Sequence, residues 1–166
     1  MRFIGIAFLI TLASVAALSQ GGMRPAADFS ALTMTGATVG LNEMKGKVVV
    51  LTFWSTRCGI CHTEIPKLNR LATQYAGKGV VFLAATTENE DKVNAYLKRN
   101  PFGFDILPNS FGLLLKYANR DRHGNVGMGY PAYFVIDRNG RIEMSAMGWD
   151  HISKVDSTIN KLLALP

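Results

Sequence analysis

The spacing of apolar and polar residues changes period several times along the chain. Residues 29–47, FSALTMTGATVGLNEMKGK, alternate around Thr35-Gly36 and predict a hairpin or a pair of short strands. Residues 48–54, VVVLTFW, are β-branched and aromatic and almost continuously apolar, the pattern of a strand buried on both faces. A helical period then takes over through roughly Gly77. VVFLAATT, 80–87, reads as a strand, NEDKVNAYLKRN, 89–100, as a helix, and FDILPN, 104–109, as a short strand. SFGLLLKYANR, 110–120, predicts a helix. AYFVIDRNGRIEMSAMG, 132–148, gives two strands joined at Arg138-Asn139-Gly140, where Asn-Gly supplies the positive φ of a tight turn. HISKVDSTINKLLAL, 151–165, closes as an amphipathic helix with Ile152, Val155, Ile159 and Leu162 on one face. Strands separated by helices imply a parallel core, and the late hairpin adds antiparallel strands. The expected class is α/β, a mixed central sheet flanked by helices.

The first residues, MRFIGIAFLITLASVAALSQGG, have a different pattern. Arg2 is the single charge before an apolar run from Phe3 to Leu18, and Ala17-Leu18-Ser19 loosely fits an export cleavage site. Residues 1–19 therefore read as a signal peptide or an uncleaved N-terminal membrane anchor. Residues 20–27 read as a linker and 28–166 as one folded domain. No cysteine follows the run, which excludes a lipoprotein anchor.

A composition of 48% hydrophobic and 18% charged residues supports an ordinary core and does not indicate disorder. The net charge of +6 comes from Lys and Arg scattered along the sequence, which predicts solvated surface and no nucleic-acid partner, with an acidic or membrane-bound partner as the alternative.

Both cysteines of the chain lie in WSTRCGICH, 54–62. A bridge closing so small a loop restricts the unfolded chain little, so the value of the pair is chemical. Cys58 falls where a buried strand ends and a helix begins. Unpaired N–H groups and the positive end of the helix dipole there favour thiolate over thiol. Cys61, one turn deeper on nearly the same side, can close a disulfide with Cys58 or resolve a mixed disulfide formed on it. Cys61, Ile65, Leu68 and Ala72 form the face that packs on the sheet, with His62, Thr63, Pro66, Asn69 and Arg70 opposite. Glu64 sits at the edge of the apolar face, partly desolvated and so suited to relay the proton that Cys61 loses. A solvent-facing carboxylate favoured by the helix dipole is the alternative. Arg57 is either a cation that stabilises the Cys58 thiolate and attracts acidic partners, or a solvated loop charge. Pro66 lacks an N–H and is expected to kink the helix near His62.

C-x-x-C-H is also the local signature of c-type haem attachment. Haem needs His62 as axial ligand within an apolar pocket, and His62 lies on the polar side of its helix. Zinc needs about four ligands, and no second cysteine pair exists. A peroxidase of the P-x-x-x-T-x-x-C type needs Pro and Thr where this chain has Leu51 and Ser55. No metal site or bound cofactor is expected; the redox group is the Cys58–Cys61 pair itself.

Several stretches together resemble a known family. VVVLTFWSTRCGICHTEIPKLNRL is similar to the active-site strand and helix of thioredoxin-fold proteins, most of all the exported TlpA/ResA-like thiol-disulfide oxidoreductases. The resemblance runs from about Phe29 to the C-terminal helix and includes an opening hairpin, TTENEDKVNAYLKRN, and YPAYFVIDRNGRI. It implies a thioredoxin-like fold with an N-terminal β-hairpin extension. It also implies Cys58 as nucleophile, Cys61 as resolver and Glu64 as the acidic proton relay. Pro131 becomes a cis-proline facing the dithiol, and the backbone of Tyr130 pairs with the client chain. The implied activity is dithiol/disulfide exchange with exported protein clients, most often as a reductase in cytochrome c maturation fed by a membrane-linked donor. The implied location is periplasmic or otherwise extracytoplasmic. A disulfide-forming oxidase of the same fold, or a metal- or haem-handling protein using both cysteines as ligands, are the alternatives. Three departures stand out. Arg57 replaces the usual Trp, Ile60 replaces a frequent Pro, and Thr52 stands where thioredoxin carries a buried Asp. The basic run ANRDRHGNVGMG, 118–129, is either a partner-selecting loop or a surface insertion.

Overall fold

The structure is a computed structural model and describes residues 24–165. The apolar run read as a leader or anchor lies outside the described residues. No helix among those described is long and apolar enough to cross a membrane.

Strands β1 (Ser30–Leu32) and β2 (Thr38–Gly40) form the expected hairpin. Gly36, at φ +80°, makes its turn, and the Gly36 N–H donates to the Thr33 carbonyl at 3.0 Å. After a 3-10 turn at Asn42–Met44 comes β3 (Val48–Phe53), every residue of it buried. Helix α1 (Gly59–Gln74), β4 (Val80–Ala85), α2 (Glu90–Leu97), β5 (Asp105–Leu107) and α3 (Phe111–Tyr117) follow. The short strands β6 (Asn119–Arg120) and β7 (Val126–Gly127) precede β8 (Ala132–Ile136), β9 (Ile142–Met147) and α4 (Ile152–Ala164).

The main sheet has the order β5-β4-β3-β8-β9, with β3, β4 and β5 parallel and β8 and β9 antiparallel to their neighbours. Because successive side chains of a strand point to opposite faces, β3 feeds two cores. Val49, Leu51 and Phe53 pack with Phe134, Ile136, Leu113, Tyr117 and Phe29 on one side. Val48 and Val50 pack with Leu68, Tyr133, Val135, Val155 and Ile159 beneath α1 and α4 on the other. Burial on both faces explains the almost continuous apolarity of residues 48–53, which only Thr52 interrupts. Each such side chain stabilises by roughly 1.5–3 kcal/mol when fully buried.

Two expectations change. The helix predicted over 110–120 stops at Tyr117, because residues 118–129 hold a small β6/β7 hairpin instead. Its turn is organised by Asp121, whose Oδ1 accepts the N–H of His123 at 2.8 Å and of Asn125 at 2.9 Å. Residues 24–26, read as linker, lie against the end of β9: Ile142 N–H donates to the Arg24 carbonyl and Ala26 N–H to the Gly140 carbonyl, each at 2.9 Å. Helix α1 continues through Pro66 as a single element of 16 residues.

Candidate active site

The C-terminal end of β3 delivers the chain into a loop, Ser55–Arg57, and then into α1. Cys58 is the N-cap of that helix, at φ −86° and ψ 101°. Its sulfur accepts the Cys61 N–H at 3.1 Å, which satisfies one of the amides left free in the first turn. Cys58 and Cys61 are joined as a disulfide, with their Cα atoms 5.2 Å apart. Cys58 is half-buried, whereas Cys61 is 1% exposed and packs with Trp54, Ile65, Ala84, Val93 and Ile106. The outer sulfur is therefore reachable and the inner one sealed.

The loop before Cys58 is held by a residue that the motif does not contain. Glu88, just past the end of β4, accepts the Thr56 N–H and the Thr56 hydroxyl, each at 2.7 Å. The Ser55 and Thr86 hydroxyls lie 3.4 Å from the same carboxylate. Burial raises the Glu88 pKa, but these hydrogen bonds together outweigh it and leave the carboxyl below its ordinary 4.5. His62 completes the anchorage: its Nε2 lies 3.0 Å from the Thr56 carbonyl, and its ring packs on Tyr96 at 5.1 Å between centroids. In the sequence, Glu88 looks like part of a polar lead-in to α2. The signal for it is the parallel register Phe53↔Ala85, which puts the ends of β3 and β4 side by side.

Glu64 departs from its expected place. The helical wheel puts it at the edge of the apolar face, yet it is 0% exposed. Lys67 reaches in from the surface to pair with it at 2.7 Å, and the Tyr133 hydroxyl lies 3.4 Å from its other oxygen. The solvent-facing alternative is thus excluded. Burial raises the Tyr133 pKa, and the neighbouring Glu64 charge raises it further. Thr52, paired in register with Tyr133, lies on this same face of the sheet; it is 2% exposed, and its hydroxyl has no hydrogen-bond partner.

Pro131 follows Tyr130 through a cis peptide bond and is buried. The register Phe53↔Ala132 sets Pro131 beside the segment that leads to Cys58. Tyr130 and Cys58 both pack against the Trp54–Cys61–Ile65 cluster. Arg57 is exposed; its N–H donates to the Ser55 hydroxyl at 3.2 Å, and its side chain forms no ion pair among the described residues. The structure thus gathers Cys58, Cys61, Tyr130 and Pro131 at one end of the sheet, with Glu64 behind Cys61 and Arg57 on the rim.

A family model described as "AhpC/TSA family" matches residues 23–145. The chain belongs to the AhpC/TSA family. Within this thioredoxin-like family, Thioredoxin-like protein YneN of Bacillus subtilis (strain 168) is 34% identical over 129 residues, covering 76% of this chain and 70% of that protein. Thiol-disulfide oxidoreductase ResA of Geobacillus thermodenitrificans (strain NG80-2) is 31% identical over 137 residues, covering 80% and 71%. A crystal structure of a thiol:disulfide interchange protein, a thioredoxin family protein from Chlorobium tepidum TLS, superposes with a TM-score of 0.74 at 24% identity, over 88% of this chain and all of that one. The exposed lipoprotein thioredoxin Etrx1 of Streptococcus pneumoniae strain TIGR4 gives 0.69 at 25% identity, over 82% of this chain and 100% of that one. The fold is thioredoxin-like, and this AhpC/TSA protein is a thiol-disulfide oxidoreductase with its cysteine pair at 58 and 61.

Proposed function

We propose that the protein acts outside the cytoplasm as a reductase of protein disulfides, with exported clients such as the apocytochromes of cytochrome c maturation. The observation that carries the exchange chemistry is the contrast between an accessible Cys58 at a helix N-terminus and a sealed Cys61. The location rests on the apolar run Phe3–Leu18 and on the resemblance to exported oxidoreductases. Clients are proteins that carry thiols or disulfides, and the pair needs no bound cofactor.

In the reduced protein, the Cys58 thiolate attacks one sulfur of the client disulfide. The client S–S bond breaks, a mixed disulfide forms, and the departing client thiolate takes up a proton. The client chain is held along the Tyr130 backbone beside Pro131, as an added strand. Cys61 then gives up its proton toward Glu64 and attacks the Cys58 sulfur. The second client thiolate leaves, and two electrons have moved from the protein dithiol to the client. The Cys58–Cys61 disulfide that results is reduced again by a membrane-linked dithiol donor. Arg57, on the rim, offers its charge to the Cys58 thiolate and to acidic clients.

The same cation and the helix N-terminus favour the oxidising direction, because a stabilised thiolate makes a stronger oxidant. The decisive measurement is the midpoint of the Cys58/Cys61 couple in a glutathione series. A reductase lies near about −270 mV and a strong oxidant near about −120 mV. A value at the oxidising end would overturn the proposed direction. A couple that is not a two-electron couple would overturn the exchange chemistry.

A further inference from the structure

Lys and Arg look evenly scattered in the sequence, but the fold collects six of them at one pole. Backbone hydrogen bonds tie that pole together. Val48 N–H donates to the Gly79 carbonyl, Gly46 N–H to the Arg138 carbonyl and Ile142 N–H to the Arg24 carbonyl, each at 2.9 Å. Arg24, Lys45, Lys47, Lys78, Arg138 and Arg141 therefore ring one end of the sheet. Arg24 and the three lysines are exposed and form no ion pair among the described residues. The carboxylates at this end are few. Asp137 is turned inward to accept the N–H groups of Asn139 at 2.9 Å and Arg141 at 2.7 Å, and Glu43 lies beyond Lys45. Glu143, one residue into β9, is taken by Lys161. At this end six cations face three carboxylates, against eleven and nine elsewhere among the described residues, so the larger share of the net positive charge resides here.

This pole is opposite the dithiol. Helix α1 begins at the cysteines and ends at Gln74, and its 16 residues span about 24 Å. It is also the pole at which Arg24 brings in the chain from residues 1–23, whose apolar run from Phe3 to Leu18 carries no charge.

We infer that this basic pole docks on a membrane surface bearing anionic phospholipid headgroups, with the dithiol held on the far side. An apolar run that precedes a polybasic face in the sequence supplies the two signals that give stable membrane attachment. Each Lys or Arg near an anionic surface strengthens binding by about 1 kcal/mol, or about fivefold. The pole acts independently of the exchange chemistry, so the two can fail separately.

The test is sedimentation of the full chain with vesicles of phosphatidylcholine alone or mixed with phosphatidylglycerol. The apolar run contributes to both vesicle types, so the pole is read from the difference between them. Binding to the mixed vesicles exceeds binding to the neutral ones and falls as NaCl is raised. Lys45→Gln/Lys47→Gln/Lys78→Gln together remove about 100-fold of the mixed-vesicle binding. Lys92→Gln/Lys98→Gln/Arg122→Gln, on other surfaces, change it by no more than about twofold. Insulin reduction by the first triple variant stays at the unmodified level, which verifies its fold. Brominated lipid leaves Trp149 emission unquenched, since Gly148 bonds to the Pro131 carbonyl at the dithiol end. Equal binding to both vesicle types, equal losses in the two triple variants, or quenching of Trp149 would each overturn the inference. Tighter binding to DNA through the same three lysines would overturn it in favour of a nucleic-acid partner.

Discussion

Replacing Lys67 by Met removes the cation that reaches the buried Glu64 carboxylate. In the intact protein the pair is 2.7 Å apart, with Glu64 fully enclosed and the Lys67 side chain 38% exposed. After the change, the remaining partner is the Tyr133 hydroxyl at 3.4 Å, too long for a strong hydrogen bond. Breaking a wholly buried ion pair by removing one partner costs about 3–5 kcal/mol. Lys67 is partly in water, so its half of the interaction is screened and the expected loss is about 1.5–3 kcal/mol. For a domain of this size about 3 °C accompanies each kcal/mol, so Tm should fall by roughly 4–9 °C. The assay is guanidinium denaturation of the oxidised protein near neutral pH, with a thermal scan beside it. Glu64→Gln on the Lys67→Met background should restore much of the loss, because the stranded charge is then gone. A loss under about 0.5 kcal/mol for Lys67→Met, or a double variant no more stable than the single one, would refute the idea that Lys67 is what makes burial of Glu64 tolerable.

Glu88→Gln tests the other carboxylate. The folded pKa of Glu88 lies below its ordinary 4.5, so the group contributes stability above that pH and loses it as pH falls through the folded value. Tm of the variant should be lower at neutral pH and flatter in the acid range; identical acid limbs for the two proteins would exclude the role. Tyr117→Phe removes the hydroxyl that donates to the Ala27 carbonyl at 2.9 Å and should cost about 1–2 kcal/mol by denaturation. Arg57→Trp should move the 240 nm thiolate step of reduced Cys58 to higher pH, and an unmoved step would remove Arg57 from the chemistry.

What the sequence revealed, and what it hid, follows from the range of the interactions involved. Strand β3, the helix after it and the dithiol at their junction are set by neighbours in sequence, and local patterns exposed them. The turn at Gly36 and the late hairpin carry their own turn residues. Burial of Glu64 could not be read from the helix period alone, because Tyr133 covers it from β8, sixty-nine positions on. Glu88 reaches Thr56 only because β4 runs parallel to β3 and ends beside it. The stretch 118–129 carries the sequence of a turn, D-R-H-G-N, but it follows the apolar FGLLLKY so closely that the helical period masked it. The basic pole was invisible for the same reason as Glu64: its cations are distant in sequence and adjoin only because strand ends and turns meet there.

In the proposed mechanism, sealing one sulfur sets the order of events. A client disulfide can approach Cys58, whose sulfur caps the helix at the edge of the apolar cluster, but it cannot approach Cys61 behind Trp54 and Ile65 without unpacking them. Serine at either position should abolish turnover, and the two variants should fail differently. Cys58→Ser leaves the inner thiol out of reach and should accumulate no adduct with a client. Cys61→Ser keeps the attacking sulfur and loses the one that releases the client, so a mixed disulfide at Cys58 should persist. Mass spectrometry of each variant after exposure to an oxidised client peptide measures this directly. Equal adduct yields would mean that the enclosure of Cys61 does not set the sequence of attack, and the division of roles between the two cysteines would have to be abandoned.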